Sequence, residues 1–216
     1  MDASERLMPA DFGIAAGERR VPWVTAEDHF RAIGYEPYRQ QREFHAAEER
    51  IKVVAGAKRI GKSFMGARDV QPLVVSPMTH GWVVGVTYRR AVKEFEYILQ
   101  DLTRTLRLGT LDKNFNVRGG YMNITFPWDS KVEVRSAKDE NDLEAEALDW
   151  VIIAEPAQHK GSTFELLRER VAEKKGVMIL PGTPPVARHW MKKRFDWGQD
   201  PGKEDYYSIQ IPATET

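Results

Sequence analysis

The sequence predicts an α/β fold, with a mostly parallel sheet covered by helices on both faces. Three observations carry that expectation. Short, β-branched apolar runs at 51–55, 82–86, 150–154 and 177–180 have the look of strands buried on both sides. Segments of helical period lie between them, and strands alternating with helices build parallel sheets. The first run passes directly into a glycine-rich turn, which a second helix follows.

Taken in order, residues 1–36 are rich in Pro, Gly and charge and read as an N-terminal arm. One helix is expected in it near 25–33, where Thr25 and Asp28 suit a cap. Residues 37–216 form the main domain. Helix 38–50 has no Gly or Pro, and Tyr38, Gln41, His45 and Ala46 recur on one face. Strand 51–55 follows, then a helix from about Gly61 to Val70, stopped by Pro72. After strand 82–86, Val92, Phe95, Ile98, Leu99, Leu102 and Leu106 line one face of a long helix over 90–108, which Gly109 ends. Residues 121–126 and 131–135 alternate around Pro127-Trp128-Asp129-Ser130 and predict a hairpin. An acidic linker, strand 150–154, helix 163–175, strand 177–180 and a last strand over 206–211 complete the chain.

Composition removes several classes of function. The 216 residues contain no cysteine, which excludes disulfides, thiolate metal sites and a cysteine nucleophile. No apolar run approaches the roughly 18 residues of a membrane helix, and no secretory leader is visible. The 32 Lys+Arg balance 32 Asp+Glu, against the profile of a free-standing, strongly basic nucleic-acid binder. The balance is nevertheless a cancellation of blocks. Residues 39–68 carry eight basic and three acidic groups, 136–155 one and seven, and 160–203 ten and five. These blocks read as separate charged surfaces.

Gly56-Ala57-Lys58-Arg59-Ile60-Gly61-Lys62-Ser63 matches G-x-x-x-x-G-K-[ST] in full, where composition alone gives roughly 0.006 accidental matches. It also stands between a predicted strand and a helix, as a phosphate cradle requires. Lys62 is expected to reach the β- and γ-phosphates of a nucleotide, and the Ser63 hydroxyl to ligate Mg²⁺. Strand 150–154 ends at Glu155, the place for a carboxylate that orients water and supports the metal. The preceding position, where an acid would help hold Mg²⁺, is Ala154. Asp149, at the strand's far end, is about 16 Å away from it. Either Glu155 serves metal and water together, or Ser63, phosphates and waters hold the metal. At the end of strand 177–180, the Thr183 hydroxyl in Gly182-Thr183-Pro184 is placed to sense a γ-phosphate.

In order, Pro37-Tyr38-Arg39-Gln40-Gln41-Arg42-Glu43-Phe44, the glycine-rich loop, Val86-Thr87-Tyr88-Arg89-Arg90-Ala91, the Glu155 strand and Gly182-Thr183-Pro184 resemble the ATPase domain of large terminase subunits, the DNA-packaging motors of tailed phages. The resemblance spans about residues 35–212. It implies a P-loop NTPase fold of the ASCE, RecA-like type, a three-layer sandwich, with ATP and Mg²⁺ as cofactors. It further implies that Gln41 reads the adenine edge with Tyr38 on the ring, and that an arginine from the same or a neighbouring subunit stabilises the transition state. Arg59, Arg135, Arg168 and Arg170 are candidates, and the sequence does not choose among them.

The implied partners are double-stranded DNA, the portal of a procapsid, a small terminase subunit and further copies in a ring, in the host cytoplasm without a membrane. A lone chain could equally be a monomer. Large terminases of this type carry a nuclease domain as well, and 216 residues leave room for the ATPase half only. The stretch 188–195, with Arg188, Lys192, Lys193 and Arg194 among aromatics, is either a DNA-facing patch or a solvated helix. Other readings are a nucleotide kinase, a helicase-like enzyme, or an ATP-binding assembly module with little hydrolysis, the last motivated by Ala154.

Overall fold

A computed structural model describes residues 22–144, 146–183 and 189–212. Its centre is one eight-stranded sheet, β1 (Ile51–Gly56), β2 (His80–Gly85), β3 (Asp112–Asn116), β4 (Tyr121–Thr125), β5 (Lys131–Ser136), β6 (Trp150–Ile153), β7 (Val177–Gly182) and β8 (Tyr206–Ile211), in the order β3-β4-β5-β2-β6-β7-β1-β8. The six strands from β5 to β8 run parallel, and β3 and β4 add an antiparallel edge. β7 therefore lies between the strand that leads into the glycine-rich loop and the strand that leads to Glu155.

Strand period two sorts the core. Val54, Val83, Ile152 and Ile179 face one way and pack with Met65 and Phe95; Val53, Val84, Val151, Ile153 and Leu180 face the other and pack with Phe164, Leu167 and Met191. The first layer holds α2 (Arg39–Ala46), α3 (Lys62–Asp69), the short α4 (Gln71–Val74) and α5 (Tyr88–Leu99); the second holds α6 (Gly161–Ala172) and α7 (Trp190–Trp197). Three layers result, as expected.

The differences from expectation have local causes. The arm is docked from residue 22 onward: α1 (Ala26–Ala32), capped by Thr25 through the Asp28 N–H, packs Phe30, with Ile33 and Tyr35, beside Phe64. Residues 1–21 lie outside the described residues. α2 ends at Ala46, not at 50, because Ala47 turns extended and sends the chain into β1. Pro72 does not merely stop a helix; it sits in the first turn of α4, where its missing N–H costs nothing. The long helix divides at Leu99 into α5 and a π-helical segment, Gln100–Thr105. β3 is an edge strand that the sequence pattern does not predict.

Candidate nucleotide site

Gly56 closes β1, and residues 57–61 turn over the sheet's carboxyl edge before Lys62 starts α3. Gly61 caps that helix at φ 83°, a conformation that glycine adopts without strain. Arg59 shares the left-handed region at φ 68° and is exposed with Ala57 and Lys58, whereas Ile60 tucks into the core. Lys62 is buried and donates from Nζ to the Ala57 carbonyl at 2.6 Å, so it lies folded across its own loop. Burial lowers its pKa, Glu155 raises it and Lys93 lowers it again, with a net fall. The Glu155 and Lys62 charges are thus close enough to interact, although one follows β6 and the other opens α3.

Glu155 leaves β6 at φ 50° and ψ 59°, heading a tight turn over Pro156–Gln158. A side-chain-bearing residue in this region is held there at a cost of about 1–3 kcal/mol. The Ala154 N–H still bonds the Val84 carbonyl, and the Ala154 carbonyl accepts from His159 Nε2 at 3.1 Å. Thr183 follows β7 directly, half-buried. At Gly182 a Cβ would stand 2.9 Å from Pro156 and from Met191, so this glycine lets the Pro156 ring of the Glu155 turn and the Met191 side chain of α7 close on the end of β7.

On the other flank, the Tyr38 hydroxyl donates to the Ile60 carbonyl at 3.5 Å, and Gln41 Oε1 accepts the Tyr38 N–H at 3.2 Å. Gln41 Nε2 lies 3.6 Å from where a Cβ on Gly61 would be. Both residues therefore border the glycine-rich loop, with one acceptor face of the amide already used on the backbone.

One residue that the motifs do not name belongs here. Glu94, on α5, is 2% exposed, and α5 packs against α3, which carries Ser63. Burial pushes its carboxyl above the ordinary range, Ser63 opposes this, and Glu155 adds to it. Its signal was visible: Ala91, Glu94, Phe95 and Ile98 are the buried residues of α5, at i, i+3, i+4 and i+7. A carboxylate on that stripe is out of place for packing alone.

The remaining candidates are not at the loop. Arg135 pairs with Glu133 at 2.9 Å and lies 4.9 Å from the Trp82 ring centre. Arg168 holds Glu165 at 2.9 Å, and Arg170 donates to the Glu144 carbonyl at 2.8 Å. In 188–195, Arg194 is buried between Phe164 and Trp197 and paired with Glu165, while Lys192 pairs with Asp196. Arg188 and Pro184 lie outside the described residues. Asp149 sits at the amino end of β6, accepting from the His80 N–H and from Lys174.

His80, Glu133 and Glu146 make a second acidic cluster, near the start of β2. Its His80 nitrogens reach Glu133 at 2.9 Å and Glu146 at 2.8 Å. Burial alone would raise the Glu133 carboxyl, but His80, Lys131 and Arg135 outweigh it and hold it far below the ordinary range. The cluster is a charge-paired network of the fold.

At the loop, Ser63, Glu155 and the buried carboxylate of Glu94 are the oxygen donors a hard divalent cation takes. One Glu94 oxygen, Oε2, is buried with no hydrogen-bond partner. The residues present therefore fit a Mg²⁺-bound triphosphate.

The family model for the phage terminase large subunit matches residues 48–215. A search of curated proteins gives no match. Among solved structures, the large terminase ATPase domain of Thermus phage P74-26 is similar at TM-score 0.72 and 20% identity, over 90% of this chain and 87% of that one. The large terminase of a thermophilic bacteriophage, in complex with ATP-γ-S, is similar at 0.63 and 14%, over 81% and 45%. That of bacteriophage HK97 is similar at 0.65 and 12%, over 88% and 44%. These likenesses show a shared fold, and the chain spans less than half the length of the latter two.

Proposed function

Because this chain belongs to the phage terminase large-subunit family, we propose that it is the ATP-hydrolysing motor domain with which such a subunit drives double-stranded DNA into a procapsid. The observation that carries this reading is the convergence of Lys62, Ser63 and Glu155 on one sheet edge, around the end of β7. The backbone of 56–61 and the start of α3 cradle the phosphates. Lys62 exchanges the Ala57 carbonyl for the β- and γ-phosphate oxygens. Ser63 and Glu155 would hold Mg²⁺, which would supply neutralisation of charge on those oxygens. Glu155 orients the attacking water and accepts its proton, and Thr183 registers loss of the γ-phosphate. Gln41 and Tyr38 border the adenine. Of the four candidate arginines only Arg59 stands exposed on the loop, and the transition-state role falls to it. Copies would act as a ring on the portal, supplied with DNA by a small subunit in the host cytoplasm, with the separate chain a monomer.

Ala154 favours one competing reading, an ATP-binding assembly module with little turnover. Phosphate release at saturating Mg·ATP, with and without duplex DNA, separates the two. Glu155→Gln is expected to lower the rate about 10²-fold or more while ATP binding in EDTA is unchanged. Equal rates for wild type and variant would remove the catalytic role and leave the assembly module.

A further inference from the structure

We infer that Glu94 supplies the metal-supporting carboxylate that the Glu155 strand lacks at Ala154, acting across the layer from α5. The inference rests on reading the site as a Mg·ATP centre, and four observations place Glu94 in it. Its carboxylate is 2% exposed, and Oε2 is buried without a hydrogen-bond partner. An orphaned buried acceptor is rare in a folded protein and costs stability, so it calls for a ligand the chain does not itself provide. α5 packs directly on α3, which carries Ser63 at the end of the glycine-rich loop, and Ser63 and Glu155 both act on the same carboxyl.

The position of the gap agrees. Ile152 packs on the face that carries α3 and α5, and Ala154 continues that alternation because its N–H remains in the ladder with Val84. An acid at 154 would therefore be presented to the layer in which Glu94 stands. α5 also occupies a stripe, Ala91, Glu94, Phe95 and Ile98, where an apolar side chain would pack better. A carboxylate there is well placed to hold the waters of a cation that keeps several of them.

Mn²⁺ titrations of the whole chain with ATP-γ-S, read by electron paramagnetic resonance, test this, alongside ATP binding in EDTA and thermal melts of the nucleotide-free protein. Glu94→Gln is expected to weaken Mn²⁺ about tenfold while ATP binding in EDTA stays within about twofold of wild type. Glu94→Leu, which fits the apolar stripe, is expected to lose Mn²⁺ affinity to at least the same degree while melting higher than wild type. Glu94→Gln/Ala154→Asp is expected to recover the affinity. Undiminished Mn²⁺ binding in Glu94→Gln or Glu94→Leu, or a Glu94→Leu variant that melts lower, would overturn the role of Glu94 alone. A wild type that binds neither nucleotide nor Mn²⁺ would overturn the nucleotide-site reading and this inference with it.

Discussion

Glu155 stands in a backbone conformation that disfavours every residue carrying a Cβ. It is there because β6 must deliver a carboxylate to the sheet edge and turn at once into Pro156. Glycine would relax the turn, so Glu155→Gly is expected to raise the unfolding free energy by about 1 kcal/mol, measured by urea denaturation, while abolishing phosphate release. A variant that loses activity and also stability would show the turn to be unstrained. At this scale the sequence was partly legible. Lys62, Ser63 and Glu155 were named by motif and strand end. Glu94 was not, because an amphipathic period records which positions face inward and is silent about why one of them is acidic.

Among the elements, α3 is tied down at both faces of its last turn. Asp69 receives Lys52 of β1 at 3.1 Å and His45 of α2 at 2.8 Å, while Arg68 is forked by Asp101 and lies over Phe64. Burial alone would raise the Asp69 carboxyl, but Lys52 and His45 outweigh it, so the net shift is downward from the ordinary 3.8. A depressed folded-state pKa gives stability that is present above the unfolded value and lost as pH falls through the folded one. Urea unfolding from pH 7 to pH 3 is therefore expected to weaken steeply below about pH 4 in wild type. Asp69→Asn is expected to be flatter there, and about 3–5 kcal/mol less stable at pH 7 because Lys52 stays buried without its partner.

The elements that escaped the sequence did so for similar reasons. β3, Asp-Lys-Asn-Phe-Asn, has no apolar alternation and is a strand only because β4 offers it an edge. Residues 47–50 favour helix by composition, with Ala47, Glu48, Glu49 and Arg50, yet the entry into β1 overrides it. The β-branched runs were legible throughout, since burial on two faces leaves an unbroken apolar word.

For the molecule as a whole, the charge blocks behind the zero net charge are partly absorbed by the fold. Two of the eight basic groups at 39–68, Lys52 and Arg68, are spent inside on Asp69 and Asp101, and in the aromatic stretch before Trp197 Arg194 and Lys192 pair with Glu165 and Asp196. Among the described residues no helix is long and apolar enough to cross a membrane. A ligand bound only by the folded chain stabilises it by about 2.7 kcal/mol at a hundredfold excess over Kd. For a chain of this length that corresponds to a rise of about 5–10 °C in melting temperature with Mg·ATP-γ-S. Lys62→Ala is expected to remove the rise, and an undiminished shift would place the nucleotide elsewhere.

The missing side chain at Gly182 has a mechanical consequence. Two parts joined through a flexible side chain have play: one travels some distance before the other responds. Here the rigid ring of Pro156, in the Glu155 turn, bears on the backbone of β7 with no such cushion, whereas Met191 of α7 reaches the same glycine through the flexible end of its side chain. The stiff joint is therefore the one between the Glu155 turn and β7, and the compliant one lies between β7 and α7.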